Sequence, residues 1–188
     1  MSDFGVYWYV GAPTAGKTTL ALHHLREDIK ETRWPALIID SQGVAQFNDV
    51  PHADSVVQAI TWVWKEGRHA AYTPTGVEEV NQLAGAIRRG KRVHVLVDEA
   101  RYWMSAHSIT PEISRLMRVW QHSQITIRLT SQRLEDIHQD AIACTTKLYA
   151  FRTVAPRTLE RLERDFGLDP NKVKSLPRGS YEVWDASF

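Results

Sequence analysis

The chain has 188 residues, 43% of them hydrophobic and 24% charged, which is the balance of a globular protein with a substantial core. A formal net charge of +1 excludes bulk basicity as a route to nucleic acid, so a DNA-binding surface has to be a local patch or channel. The single cysteine, Cys144, excludes an internal disulfide framework and a multi-cysteine metal site.

No apolar stretch approaches the ~20 residues of a membrane span, and the first residues lack a signal-peptide pattern. No linker, low-complexity segment or internal repeat interrupts the chain. A cytosolic protein with one domain over 1–188 is expected.

Phe4 to Val10 is apolar on both faces, the pattern of a strand in the middle of a covered sheet. A glycine-containing loop, "GAPTAGKTT", follows over residues 11–19, and Thr18 to about Lys30 reads as a helix. Ala36 to Asp40 is a second strand ending in a carboxylate. Ser55 is a candidate N-cap for a helix carrying Val56, Ala59, Ile60, Val63 and Trp64 on one stripe. A short strand near Arg68–Tyr72 precedes a helix over "VEEVNQLAGAIRRG" that Gly90 closes. "RVHVLVDEA" is the strongest strand, followed by a helix from about Pro111 to Gln121 and the strand "ITIRLTSQR". "KLYAFR" then reads as a strand, "PRTLERLERDFG" as a helix and "GSYEVWD" as a last strand. Strands alternating with helices predict an α/β fold with a mostly parallel central sheet flanked by helices.

Gly11, Gly16, Lys17 and Thr18 fit the G-x-x-x-x-G-K-[ST] pattern between a strand and a helix. Such a loop (Gly11, Ala12, Pro13, Thr14, Ala15, Gly16, Lys17, Thr18, Thr19) curls backbone N–H groups around phosphates at a helix N-terminus. Lys17 would reach the β- and γ-phosphates of ATP, and the Thr18 hydroxyl would ligate Mg²⁺. "VHVLVDEA" supplies the acidic partner: Asp98 as the second Mg²⁺ residue, through water, and Glu99 as the group that polarises an attacking water. A helix N-cap is the plain alternative for an acidic residue after a strand. A water-activating Glu favours hydrolysis over transfer to an acceptor. Gln132, just past the next strand, is placed to touch the γ-phosphate or the water.

Taken together, "GAPTAGKTT", "IIDSQG", "VLVDEA" and "TSQRLEDIHQDAI…KLYAFR" resemble, in order, the motifs of HerA/FtsK-type ATPases. Asp40, Ser41, Gln42 and Gly43 match the end of that family's second strand. Ser131, Gln132 and Arg133 match its sensor segment, and Phe151 and Arg152 a following strand. "SLPRGSYEVWD" looks like the family's closing turn and strand. The resemblance covers most of the chain and implies a RecA-like (ASCE) P-loop fold. With so little beyond the motor core, it resembles the genome-packaging ATPases of tailless, membrane-containing double-stranded DNA viruses.

The resemblance implies a Mg²⁺-dependent ATPase that forms a homo-oligomeric ring (hexamer or pentamer) and translocates double-stranded DNA into a capsid through a vertex or portal. Host cytoplasm and the virion are the implied locations. Arg118, or else Arg115, would act on the neighbouring subunit's ATP as a catalytic arginine; Arg101 and Arg68 are candidate DNA contacts. A filamentous-phage-type assembly ATPase and a small P-loop kinase are the alternatives, but the former carries a membrane span and the latter has no need of "SQR".

Other features point to structure. The eight histidines show no metal-binding spacing, and adjacent His23 and His24 are expected to diverge on the surface of a helix. Trp8, Trp64 and Trp120 fall on apolar stripes, whereas Trp62 and Trp103 do not and are candidates for a subunit interface. Arg128, inside the strand "ITIRLT", interrupts an apolar pattern and points toward a subunit contact.

Overall fold

The computed structural model describes residues 4–43 and 47–186. Nine strands are present among them: β1 (Gly5–Val10), β2 (Ala36–Asp40), β3 (Ala70–Tyr72), β4 (Val93–Asp98), β5 (Met104–Ser105), β6 (Ser108–Ile109), β7 (Ile125–Ser131), β8 (Lys147–Phe151) and β9 (Tyr181–Asp185). The helices are α1 (Lys17–Thr32), α2 (Val56–Trp64), α3 (Val77–Arg89), α4 (Pro111–Ser123), α5 (Gln139–Ala143), α6 (Pro156–Phe166) and α7 (Pro170–Ser175). Seven strands form one sheet in the order β3-β2-β4-β7-β1-β8-β9. Every pairing is parallel except that of β8 with β9 at the edge. β7 thus separates the strand that feeds the glycine loop from the strand that ends in Asp98, the ASCE arrangement.

The apolar strands β1, β2 and β4 are buried along their whole length because helices cover both faces. Alternate residues divide between two cores. Val6, Trp8, Val10, Val95, Val97, Ile127 and Leu129 pack with α2, α3, α4 and α6 on one face. Tyr7, Tyr9, Ile38 and Leu96 pack under Ala21, Leu22 and Leu25 of α1 on the other. Caps set the helix starts: Ser55 Oγ accepts from Gln58 N at 3.2 Å, and Thr110 Oγ1 accepts from Ile113 N ahead of Pro111.

Gly90 does close α3, but with an extended backbone (φ −75°, ψ 177°) and not the left-handed turn. Its role is space, because a Cβ there would lie 2.0 Å from Trp64 Nε1. Missing from the sequence reading are a 3-10 turn over Ala100–Tyr102, the β5–β6 hairpin, α5 and α7.

Two expectations are corrected. Arg128 is 2% exposed and makes no outward contact; its guanidinium pairs with Asp28 of α1 and lies 5.4 Å from the Tyr7 ring centroid. The strand alternation that removes it from the Ile127 face turns it under α1, where a carboxylate neutralises it. His23 and His24 do not diverge: their rings are 5.9 Å apart, and His24 Nδ1 hydrogen-bonds Tyr9 OH at 2.8 Å. Trp62 and Trp103 are half-buried against the main core, Trp62 beneath the Arg68 guanidinium at 4.6 Å.

Candidate active site

The site is built where the C-terminal ends of β1, β4 and β7 meet the start of α1. Leaving β1, the loop needs unusual backbone at three points: Gly11 (φ 154°), Thr14 (φ 59°) and Gly16 (φ 106°), the last serving as N-cap of α1. Space demands glycine as well, since a Cβ on Gly11 would come within 2.7 Å of Phe151 Cβ. The loop is tied to its neighbours by Gly11 N–H to Ser131 O (3.3 Å) and Ala12 N–H to Arg152 O (2.9 Å).

Lys17 Nζ donates to Ala12 O at 2.9 Å, folded back across the loop. Burial lowers the Lys17 pKa from its ordinary value, and the nearby Glu99 and Asp98 carboxylates oppose that shift. The ammonium is thus poorly hydrated and poised for a further anion.

Asp98 ends β4, 4% exposed. Its Oδ1 accepts from Thr18 Oγ1 at 2.9 Å and from Thr130 Oγ1 at 2.8 Å. Burial raises the Asp98 pKa; the hydroxyls of Thr130 and Thr18 pull it back down. Behind it, Ser41 Oγ donates to Asp98 O at 2.5 Å and accepts from Trp103 Nε1 at 2.6 Å, tying the ends of β2 and β4 to the residues after them.

Glu99 adopts a left-handed backbone (φ 50°, ψ 60°), strained for a non-glycine residue, which carries its side chain back toward β7. Its N–H donates to Thr130 Oγ1 at 2.9 Å, so Thr130 bridges both acidic residues. Gln132 Nε2 donates to Glu99 Oε1 at 3.0 Å. Oε2 is buried with no hydrogen-bond partner, 3.6 Å from Arg101 Nε. Oε2 is thus ion-paired with Arg101 but carries no hydrogen bond, and keeps the capacity to accept one.

A cleft of about 780 Å³ runs over the loop, lined by Thr14, Ala15, Gly16, Lys17, Thr18, Thr19, Leu20, His23, Phe151, Arg178 and Gly179. That is the size of a nucleotide site. Arg178 and Thr130 were not singled out in sequence, and His23 was read only as a surface residue. The "LPRG" turn was the one signal for Arg178, and Thr130 hid in the polar end of a strand.

No group of three or more His, Cys, Asp or Glu side chains suited to a metal occurs among the described residues. Mg²⁺ fits nonetheless, because it binds through one or two protein ligands and completes its shell with phosphates and water. Thr18 Oγ1 and the Asp98 carboxylate, already in contact, are the residues that would hold it.

The expected arginines stand apart from this cluster. Arg118, exposed on α4, pairs with Asp140 at 3.2 Å, and Arg115 with Glu112 at 2.7 Å. Neither touches the loop of its own subunit. Arg101 lies between Glu99 (3.6 Å) and Asp136 (3.7 Å). Arg68 pairs with Glu66 at 3.0 Å. Among the described residues no helix is long and apolar enough to cross a membrane.

No family model and no curated protein matches the chain. Solved structures do. The genome packaging NTPase B204 from Sulfolobus turreted icosahedral virus 2, in complex with ATP-gammaS, superposes with a TM-score of 0.84 at 19% identity, over 98% of this chain and 94% of that one. The same protein with AMPPCP gives 0.83 at 19%, over 97% and 92%. B204, the DNA-packaging ATPase from Sulfolobus turreted icosahedral virus, gives 0.80 at 17%, over 98% and 94%. At such identities the shared property is the fold: this chain has the fold of a P-loop NTPase, which it shares with these structures across nearly their whole length.

Proposed function

We propose that the chain is an ATP-hydrolysing motor that drives double-stranded DNA into a viral capsid, working as a homo-oligomeric ring. The observation that carries the hydrolytic half is the pairing of Gln132 with Glu99, next in sequence to the Asp98 that Thr18, in the first turn of α1 after the glycine loop, contacts. The likeness to a packaging NTPase over most of both chains supports the DNA half.

Chemically, the loop amides and the N-terminus of α1 cradle the phosphates. Lys17 exchanges the Ala12 carbonyl for β- and γ-phosphate oxygens. Mg²⁺, held by Thr18 and Asp98, would neutralise charge on the same phosphates. Glu99 Oε2 accepts a proton from the water that attacks the γ-phosphorus, and the phosphoryl group leaves ADP. Gln132, bonded to Glu99 and following β7, senses the γ-phosphate and passes its loss to the segment beyond. Arg118 completes the site of the next subunit. DNA is contacted mainly at its phosphates within a channel. Capsid vertex or portal components are the remaining partners.

Phosphate release, measured with and without linear duplex, tests this reading. The expected result is ATP hydrolysis that duplex DNA stimulates whatever its sequence. Transfer of phosphate to a small acceptor without response to DNA would replace the motor by a kinase.

A further inference from the structure

The cleft extends past the phosphate loop into a region that the hydrolytic chemistry does not use. With the γ-phosphate at Thr18, Asp98 and Glu99, the other end of a nucleotide leaves past Thr19. It enters the space between Leu20 and His23 of α1 and the Arg178–Gly179 turn before β9, with Phe151 behind. That turn packs directly on the loop: a Cβ on Gly16 would lie 3.4 Å from Phe151 Cε1 and 3.6 Å from Gly179 Cα. This is the space into which the cleft continues from the loop.

We infer that the nucleobase is held there by stacking alone, so that the chain hydrolyses the common nucleoside triphosphates with little regard to the base. The inference rests on the nucleoside triphosphatase reading above. Its ground is the character of the lining. Among the described residues Lys17 is the single buried polar side chain of the lining, and it serves the phosphates. The polar side chains beyond Thr19, His23 and Arg178, are both exposed, as is the Gly179 backbone.

Strong rejection of a wrong base requires a buried donor or acceptor that the wrong base leaves unpaired. Here an unmatched base edge keeps its water, and no such penalty arises. What the region does offer is an imidazole and a guanidinium, planes that stack on any base because every base has a π-face. Phe151, 1% exposed, closes the back of the space without a polar atom.

The test is a comparison of kcat/KM for ATP, GTP, CTP and UTP, with inorganic tripolyphosphate as a competitor. The four values should fall within about tenfold of one another, and a wider spread overturns the inference. The double variant His23→Ala/Arg178→Ala should raise KM for all four several-fold and in common, leaving tripolyphosphate inhibition unchanged. A rise confined to one base would show edge readout and overturn it equally. Tripolyphosphate that competes while the bases diverge sinks only this inference. Failure of tripolyphosphate and of every nucleotide to bind removes the phosphate-loop reading, and this one with it.

Discussion

Gln132 Nε2 donates a 3.0 Å hydrogen bond to Glu99 Oε1, across 33 residues of sequence and two adjacent strands. The bond occupies one carboxylate oxygen and leaves the other, Oε2, buried without a hydrogen bond and 3.6 Å from Arg101 Nε. It fixes the orientation of the proposed base and connects it to the segment after β7, so that base and sensor act as a pair.

Glu99→Gln should retain ATP binding and lose hydrolysis by about 100-fold or more, because the amide keeps the shape but cannot take the proton of water. Gln132→Ala should bind ATP and DNA but lose much of the stimulation by duplex. Steady-state phosphate release and equilibrium nucleotide binding check both; wild-type hydrolysis by the Glu99→Gln protein would remove Glu99 as the base.

Lys17→Ala acts at the other end of the site. It deletes the ammonium that spans the loop to Ala12 O and is to meet the phosphates. Charge-assisted hydrogen bonds contribute about 1.5–3 kcal/mol, so ATP affinity should fall by roughly 10- to 100-fold. Calorimetric titration with a non-hydrolysable analogue reads this directly, and an unchanged affinity would contradict the assigned role.

Much of this arrangement is legible in sequence, for physical reasons that also mark the limits. Apolar runs such as "VHVLVD" and "ALIID" announce buried parallel strands, and Gly11 and Gly16 announce a backbone that needs their conformations. Spacing alone does not say that Thr130 bonds both acidic residues, because that contact depends on β7 lying beside β4. Arg128 misleads for the same reason: its partner, Asp28, sits 100 residues away on a helix whose inner face is polar at that point. Short elements such as α5 and the β5–β6 hairpin are set by tertiary contacts, including the bridge between Ser105 and Ile137, and carry no periodicity to read.

The Arg128–Asp28 pair yields a stability prediction. Arg128 Nε and Nη1 are buried without hydrogen-bond partners, so the pair is incompletely compensated. Arg128→Met leaves the Asp28 carboxylate alone beneath α1 and should lower stability by about 3 kcal/mol. The double change Arg128→Met/Asp28→Leu should lose less than the single one, because no lone charge remains. Urea unfolding of the three proteins tests the order.

His94, on the same face of the sheet, sets a pH dependence. Burial lowers its pKa from 6.5 to about 4, against the opposing pull of Asp28 and with help from Arg128 and His69. The unfolded chain therefore binds a proton that the folded one refuses between pH 6.5 and about 4, and stability falls as pH drops through that window. At ~1.4 kcal/mol per unit of depression, the loss from this residue is on the order of 3–4 kcal/mol. His94→Gln, which cannot titrate, should flatten that part of the pH–stability curve relative to wild type. Parallel curves for the two proteins would show that the acid sensitivity arises elsewhere.

The boldest prediction concerns Arg118. On its own subunit it pairs with Asp140, an exposed pair whose breaking costs little. In a ring, a head-to-tail interface gives each subunit two complementary faces, one with the phosphate loop and Glu99, the other with the arginine. Arg118→Ala should then bind ATP normally and lose hydrolysis, since charge developing on the transferring phosphoryl group goes unpaired. Lys17→Ala should be inactive for a different reason, loss of nucleotide. Mixing the two dead proteins should restore part of the activity, because some interfaces join an intact loop from one variant to an intact arginine from the other. If the mixture stays inactive at every ratio while labelled subunits are seen to exchange, the arginine does not act in trans. Full activity of Arg118→Ala alone would eliminate the residue, and the same experiment on Arg115 would then decide whether its neighbour on α4 takes the role.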